Sequence, residues 1–187
     1  MSLTATVNVY TEITPNPATM KFITNKLLIN GSKDFATKES AQESPFAKEL
    51  FKFSFVDGVF FASNFVTITK VAGSDWEDLI PILKEFVKGA VESELKIVND
   101  HNEEVIFEGT ETEKKIQQIL HDYVRPAVEQ DGGAIHYKSF DEAGVVTVEL
   151  KGSCSGCPSS TITLKAGIEN LLKRMVPEVT EVIAEAV

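Results

Sequence analysis

The sequence predicts an α+β fold made of two small domains. The chain has 187 residues, and its hydrophobic content of 43% is ordinary for a globular protein. This length suits one large domain or two small ones, and the pattern of helices and strands restarts after a polar stretch near residue 100. We therefore predict an N-terminal domain over residues 1–98, a linker over residues 99–109 and a C-terminal domain over residues 110–187.

The N-terminal half mixes strands and helices. Alternation of apolar and polar residues over Val7–Ile13 predicts a half-buried strand, and Met20–Ile23 predicts another. Ser44-Pro45 is typical of a helix start, and Val59–Thr69 predicts a hairpin that turns at residues 62–64. The run Ser74-Asp75-Trp76-Glu77 predicts a capping box at the start of a long helix. Most of the 12 phenylalanines lie in this half, where we expect them to build the core.

The C-terminal half is predicted to run helix–strand–strand–helix–strand, with two helices on one face of a three-stranded sheet. Thr110 and Glu113 predict a capping box for the first helix. Pro126 is expected to kink or locally end this helix, and Asp131-Gly132-Gly133 stops it. The remaining elements are strands over residues 134–140 and 145–150, a helix ended by Pro177, and a closing strand over residues 179–183.

The only two cysteines of the chain lie between a predicted strand and a predicted amphipathic helix. Cys154 and Cys157 are separated by two residues, and two soft thiolates at this spacing can bind a soft metal centre. A tetrahedral zinc site or an iron–sulfur cluster usually takes four protein ligands, so one chain supplies half of such a site. The simplest completion is a second copy of the same loop, related by a two-fold axis.

The residues around the two cysteines favour metal ligation. Pro158 fits the first turn of a helix, where its missing N–H costs nothing, so Cys157 is expected close to a helix N-terminus. The helix dipole there favours the thiolate, which is the metal-binding form. Gly152 and Gly156 give the backbone freedom to wrap around a cluster or to let another chain approach.

From these residues alone, the pair remains open to metal binding, to thiol–disulfide oxidoreductase chemistry, or to an inert local role. A thioredoxin-like redox dithiol also lies between a strand and a helix. Against it, the chain behind the motif holds one predicted closing strand and no later proline loop to cover an active dithiol. If the two cysteines bind a metal, the site is either a zinc site that bridges a structural dimer or an iron–sulfur site.

The composition limits the classes of partner that the protein is expected to bind. The net charge is −10, and neither half is basic: residues 1–109 hold 10 basic and 16 acidic side chains, and residues 110–187 hold 8 and 12. A nucleic-acid partner would require a basic surface. No apolar run reaches membrane-spanning length, and no charged-then-apolar leader opens the sequence. Two cysteines do not make a disulfide scaffold, so we expect a reducing compartment and a cytoplasmic protein.

Residues 112–187 resemble the C-terminal domain of NifU, the Nfu-type iron–sulfur carrier domain. The resemblance lies in four ordered blocks, which are Val124-Arg125-Pro126, Asp131-Gly132-Gly133, Gly152–Thr161 and Leu164–Glu169. The N-terminal half is similar to the domain that accompanies it in Nfu proteins. That similarity lies in Thr11–Pro17, Lys21-Phe22, Ser44–Phe51 and Val59–Lys70.

The resemblance implies a carrier and not an enzyme. Such a carrier holds a [4Fe–4S] cluster between two chains, receives it from an upstream donor and hands it to apo-proteins. Cys154 and Cys157 match the cluster ligands by position. A [2Fe–2S] form is also open because both clusters accept four thiolates, and zinc can substitute at the same sulfurs. The N-terminal domain is expected to recognise clients or partners.

Overall fold

The computed structural model describes residues 6–97, 107–153 and 158–186. The chain divides into two compact units, Met1–Glu103 and Glu104–Val187, and each contains a sheet and helices, which confirms the α+β class. Most of the predicted linker over residues 99–109 lies outside the described residues, so the domain boundaries stay a prediction. None of the helices in the described ranges is long and apolar enough to cross a membrane.

The first unit contains a five-stranded sheet in the order β1-β2-β5-β4-β3, in which all neighbours are antiparallel. Its strands are β1 (Val9–Ile13), β2 (Thr19–Thr24), β3 (Ser32–Phe35), β4 (Val56–Ala62) and β5 (Phe65–Lys70). The β4–β5 hairpin is the predicted one. Strand β3 was not predicted, because its sequence Ser-Lys-Asp-Phe has a single apolar residue and forms a strand through pairing with β4.

Two helices of the first unit begin at capped ends, α1 (Pro45–Leu50) and α2 (Trp76–Glu92). The hydroxyl of Ser44 accepts the Ala47 N–H at 3.0 Å, as the Ser-Pro signal predicts. The predicted capping box at Ser74 is wrong. Asp75 is the N-cap instead, and its carboxylate accepts the Glu77 N–H at 3.1 Å, because a negative charge is favoured at a helix N-terminus.

Phenylalanine rings build the core of the first unit, as predicted. The side chains of Phe22, Phe46 and Phe61 are almost completely buried. Phe46 packs against Phe61 with ring centroids 5.1 Å apart and stacks on Phe86 of α2 at 5.9 Å. These ring contacts join α1 and α2 to one face of the sheet, and aromatic pairs of this kind add to the free energy gained from burial.

The second unit has the predicted order helix–strand–strand–helix–strand, with its first helix divided in two. Its elements are α3 (Glu111–Ile119), α4 (Arg125–Gln130), β6 (Gly133–Phe140), β7 (Val145–Gly152), α5 (Pro158–Met175) and β8 (Glu181–Ala186). Strand β7 pairs antiparallel with β6 and parallel with β8. The closing strand begins two residues later than predicted and is longer.

The two predictions for the first helix of this unit are confirmed. Thr110 and Glu113 form the capping box, since Glu113 accepts the Thr110 N–H at 2.8 Å and donates its own N–H to the Thr110 hydroxyl at 3.3 Å. Pro126 interrupts the helix: residues Leu120–Val124 form one π-helical turn before α4. Pro126 has no N–H to donate to the preceding turn, and its ring crowds the carbonyl there.

The helices of the second unit cover one face of its sheet, as predicted. Alternate residues of β7 are fully buried on that face, together with residues of α5 and β8. The buried set is aliphatic and includes Val146, Val148, Leu150, Ile168, Leu172 and Val182. The opposite face carries ion pairs, in which the Lys138 ammonium lies 2.6 Å from a Glu185 carboxylate oxygen and 3.5 Å from one of Glu149.

Candidate metal centre

The candidate site lies where β7 ends and α5 begins. Cys154 and Cys157 themselves fall in residues 154–157, outside the described residues. The structure describes both flanks, Gly152-Ser153 on one side and the helix that starts at Pro158 on the other. Because β7 and β8 are parallel, α5 is the crossover between them. In open α/β sheets, such connections at the carboxyl ends of parallel strands frequently bind ligands.

The flank before the cysteines is anchored to the turn that follows α4. Gly152 is paired with Gly133 at the end of the β6–β7 ladder. The Ser153 N–H donates to the Gly132 carbonyl at 3.3 Å, and the Ser153 hydroxyl donates to the Asp131 carbonyl. The sequence predicts that Asp131-Gly132-Gly133 ends a helix, and the structure also places this turn against Ser153, the residue before Cys154.

Two glycines in this region adopt backbone conformations that other residues rarely adopt. Gly132 has φ of +82° and Gly152 has φ of +69°, both in the left-handed region. The glycine at position 132 lets the chain leave α4 and enter β6 at once. Gly152, which we expected to free the backbone around a cluster, is the point at which the chain leaves β7.

The flank after the cysteines is the first turn of α5, and this helix is fixed against β8. A carboxylate oxygen of Glu169 accepts the Val182 N–H at 3.2 Å, and the other accepts the Lys173 ammonium at 2.6 Å. The hydrogen bond from Lys173 is the main reason that the pKa of Glu169 is lowered, and the bond from the Val182 N–H lowers it further. Lys165 also lies 3.6 Å from a Glu181 carboxylate oxygen. The register of α5 on the sheet is therefore set by polar contacts as well as by packing.

A second carboxylate, Glu113, joins the start of α3 to β6. In addition to its bonds with Thr110, it accepts the Tyr137 hydroxyl at 2.9 Å. Hydrogen bonds from Thr110 are the main reason that the pKa of Glu113 is lowered. Partial burial and the same Glu113 carboxylate raise the pKa of Tyr137. The capping box is predictable from the sequence but the contact with Tyr137 is not, because a contact across 24 residues leaves no local pattern.

Histidines and carboxylates of the described residues do not assemble into a further metal site. Within the described ranges, no group of three or more His, Cys, Asp or Glu side chains could hold a metal ion. The Nδ1 of His121 lies 2.9 Å from a carboxylate oxygen of Asp122, on the exposed side of the π-helical turn. Cys154 and Cys157 lie outside these ranges and stay predicted ligands.

The fold and the loop define a two-unit α+β protein that carries a C-x-x-C loop on a β–α–β crossover. Family models match both units: the NifU-like domain matches residues 116–183, and the scaffold protein Nfu/NifU N-terminal domain matches residues 9–94. The chain belongs to the family of NifU-like proteins that carry an Nfu N-terminal domain. The family resemblance stated from the sequence is thereby confirmed.

Curated relatives resemble the chain over most of its length. The human "NFU1 iron-sulfur cluster scaffold homolog, mitochondrial" is 39% identical over 91% of this chain and 69% of its own. "NifU-like protein 5, mitochondrial" of Arabidopsis thaliana is 37% identical over 96% of this chain and 68% of its own. The homolog from Drosophila sechellia is 37% identical over 93% of this chain, which spans 63% of that relative.

The relatives correct our prediction of a cytoplasmic location. All three are named as mitochondrial proteins, so the prediction is contradicted. It depended on the small number of cysteines and on the absence of a recognisable leader in the sequence. A small number of cysteines indicates a reducing and not an oxidising compartment, but it does not show which reducing compartment holds the protein.

Proposed function

We propose that this protein is an iron–sulfur cluster carrier, which binds a labile [4Fe–4S] cluster through Cys154 and Cys157 and transfers it to apo-proteins. One observation carries the proposal: the only two cysteines lie between β7 and α5, in a chain whose relatives are named iron–sulfur cluster scaffold homologs. We propose the same role for the whole chain, with the second unit as the cluster domain and the first as the unit that recognises clients.

The chemistry of the two thiolates supports a site shared between two copies. A cluster of this kind is held by four thiolates, and one chain offers two. A homodimer with a two-fold axis between the two loops supplies the other two. The start of α5 at Pro158 supports thiolate formation, because the unpaired N–H groups and the dipole of a helix N-terminus stabilise negative charge.

An exposed apolar residue beside the loop supports the same homodimer. Ile162 lies just over one turn after the start of α5, and its side chain is 70% exposed. Side chains on a helix lean toward its N-terminus, so Ile162 is directed toward the cysteine end of α5. A second copy placed loop to loop brings its own Ile162 to the same region. We therefore expect Ile162→Lys to weaken the cluster-loaded dimer while the monomer keeps its fold.

Cluster transfer from such a site proceeds by ligand exchange. A thiolate of the acceptor forms a bond to one iron as the bond from Cys154 or Cys157 to that iron breaks, and the released thiolate takes up the proton that the acceptor thiol lost. Repetition at each iron moves the cluster without a change of oxidation state. No covalent catalyst or nucleotide is required, and a site at the surface of a dimer gives the acceptor access.

Reconstitution with iron and sulfide tests the proposal. Under anaerobic conditions, the wild-type protein should develop broad visible absorption and take up about two irons per chain, as a four-iron cluster shared by two chains requires. It should then activate an apo-acceptor that needs a [4Fe–4S] cluster. Cys154→Ser and Cys157→Ser should each abolish iron uptake and leave the circular dichroism of the apo-protein unchanged.

Each alternative gives a distinct result in the same experiment. A cysteine variant that still assembles a full cluster contradicts the assignment of the ligands. Colourless protein with tightly held zinc indicates a structural metal site. A monomer that cycles a Cys154–Cys157 disulfide and turns over a dithiol substrate without iron indicates a thiol–disulfide oxidoreductase. About two irons per dimer, with a [2Fe–2S] spectrum, contradicts only the cluster type.

A further inference from the structure

We propose that Ser153 is a positioning residue, which fixes the start of the cysteine loop and so determines how long the cluster is retained. The inference rests on the proposed function and adds to it a residue that does not ligate iron. Ser153 immediately precedes Cys154 in the chain, and its side chain is only 2% exposed.

Ser153 makes two hydrogen bonds to consecutive peptide groups of one turn. Its N–H donates to the Gly132 carbonyl at 3.3 Å, and its hydroxyl donates to the Asp131 carbonyl. One bond involves the main chain and the other the side chain, so the residue is held in both position and orientation. A buried hydroxyl needs such a partner, because leaving it unsatisfied would cost free energy.

The turn that receives these bonds is itself fixed by the end of α4. The Asp131 N–H donates to the Ala127 carbonyl at 3.2 Å, and the Gly132 N–H donates to the Glu129 carbonyl at 3.0 Å. The Glu129 carboxylate in turn lies 2.6 Å from the Arg125 guanidinium. The anchor of the loop is therefore the hydrogen-bonded end of a helix.

The described residues on the two sides of positions 154–157 are thus held by fixed elements. On the first side, Ser153 is attached to the turn after α4. On the second side lies α5, which Glu169 and Lys165 hold against β8. Consecutive Cα atoms are about 3.8 Å apart, so the position of Ser153 closely limits the position of Cys154. Metal ligands whose supporting residues are fixed bind more tightly, and loss of such support weakens binding or activity.

The substitution Ser153→Ala removes the hydroxyl bond and keeps the main-chain bond. The Asp131 carbonyl then loses its donor from the loop, and the start of the loop has more freedom. Loss of one such hydrogen bond corresponds to about a fivefold change in an equilibrium or rate. We expect the loaded Ser153→Ala variant to lose its cluster to an iron chelator about fivefold faster than the wild type.

A second variant changes the turn that accepts the hydrogen bonds of Ser153. Gly132 has φ of +82°, so Gly132→Ala strains the turn and displaces the carbonyl that accepts the Ser153 N–H. It should accelerate cluster loss in the same direction as Ser153→Ala. The matched control is Ser139→Ala, the same substitution at an exposed position of β6 in the same unit. This control should lose its cluster at the wild-type rate.

The experiment compares the wild type, Ser153→Ala, Gly132→Ala and Ser139→Ala. All four are reconstituted, held well below the melting temperature of the apo-proteins, and mixed with chelator while the visible absorption is followed. Hydrogen exchange of the main-chain amide of residue 153 is measured on the apo-proteins. Faster cluster loss and faster amide exchange in Ser153→Ala and Gly132→Ala, with Ser139→Ala unchanged, support the positioning role.

The contrary outcomes are separable. If the wild type is loaded and Ser153→Ala releases its cluster at the wild-type rate, the positioning role is overturned while the proposed function stands. A lower melting temperature of apo Ser153→Ala with an unchanged rate of cluster loss shows a purely structural role and also overturns it. If the wild type takes up no iron, the proposed function fails, and the role of Ser153 fails with it.

Discussion

The two units of this chain differ in the kind of side chain that builds their cores. In the first, an antiparallel sheet and two helices meet through stacked and tilted phenylalanine rings. In the second, the buried residues are aliphatic, and directional polar contacts join the elements. Glu113 contacts Tyr137, Glu169 contacts Val182, and Ser153 contacts the turn at Asp131. Polar contacts between distant residues also occur in the first unit, where the Trp76 indole N–H donates to the Pro17 carbonyl at 3.0 Å. The two units therefore differ in their cores: aromatic volume in the first and aliphatic packing in the second.

The largest stability effect is expected from removal of a central ring in the first unit. Phe61→Ala should lower the free energy of unfolding of that unit by about 3–5 kcal/mol, because it deletes a fully buried side chain and leaves a cavity. The fluorescence of Trp76, the single tryptophan, reports unfolding of this unit in denaturant. Iron uptake by the second unit should be unchanged.

The control for this prediction is Tyr10→Ala, which removes an aromatic ring that is 61% exposed. It should change the free energy of unfolding by no more than about 0.5 kcal/mol. If Phe61→Ala and Tyr10→Ala have equal effects, the first unit does not depend on its buried rings.

An intermediate loss of stability is expected from a substitution at Gly144, in the β6–β7 turn of the second unit. Gly144 has φ of +83°, and a Cβ there would lie 2.3 Å from the Glu178 carbonyl oxygen and 2.9 Å from Thr180. Gly144→Ala should therefore lower the free energy of unfolding by about 2 kcal/mol, since it combines backbone strain with a clash against main-chain atoms. Thermal unfolding followed by far-ultraviolet circular dichroism measures this.

The same substitution at Gly167 should have the opposite sign. Gly167 lies inside α5, where an added Cβ meets nothing within 4 Å. Gly167→Ala should raise the free energy of unfolding by about 0.5–1 kcal/mol, because alanine loses less backbone entropy than glycine on helix formation. Equal destabilisation by Gly144→Ala and Gly167→Ala would contradict the close approach at the turn.

The smallest change in stability is expected when acid protonates the hydrogen-bonded carboxylates of the second unit. The pKa of Glu113 is lowered from its ordinary value of 4.5 in the folded protein, chiefly by hydrogen bonds from Thr110. Its contribution to stability is therefore present above that value and is lost as the pH falls through the lower folded pKa. Glu169 contributes with the same sign. The melting temperature of the second unit should fall as the pH is lowered below 4.5.

Tyr137→Phe sharpens this prediction, because it removes one of the hydrogen bonds that lower the pKa of Glu113. The variant should show a lower melting temperature at neutral pH and a weaker loss on acidification. Tyr123→Phe, at a tyrosine that is 61% exposed, is the matched control and should follow the wild type. An unchanged acid profile in Tyr137→Phe would show that this contact does not stabilise the fold.

Most features that depend on neighbours along the chain were predicted from the sequence, although the capping box predicted at Ser74 is wrong and Asp75 caps that helix. The Thr110–Glu113 capping box and the interruption at Pro126 are determined within one or two turns, and both are confirmed. Features that depend on distant pairing were missed. Strand β3 forms because β4 lies beside it, and the Ser153–Asp131 contact joins residues 22 positions apart. The site residues Cys154 and Cys157 remain a prediction from motif and family.

In the proposed function, two copies of the chain share one cluster through Cys154 and Cys157. Native mass spectrometry of the anaerobically reconstituted protein tests it most directly, because the chain mass of 20.5 kDa and the cluster composition are read together. We expect a species with two chains, four irons and four sulfides, which Cys154→Ser does not form. A loaded monomer, or a dimer that forms equally well without iron and holds none, would contradict it.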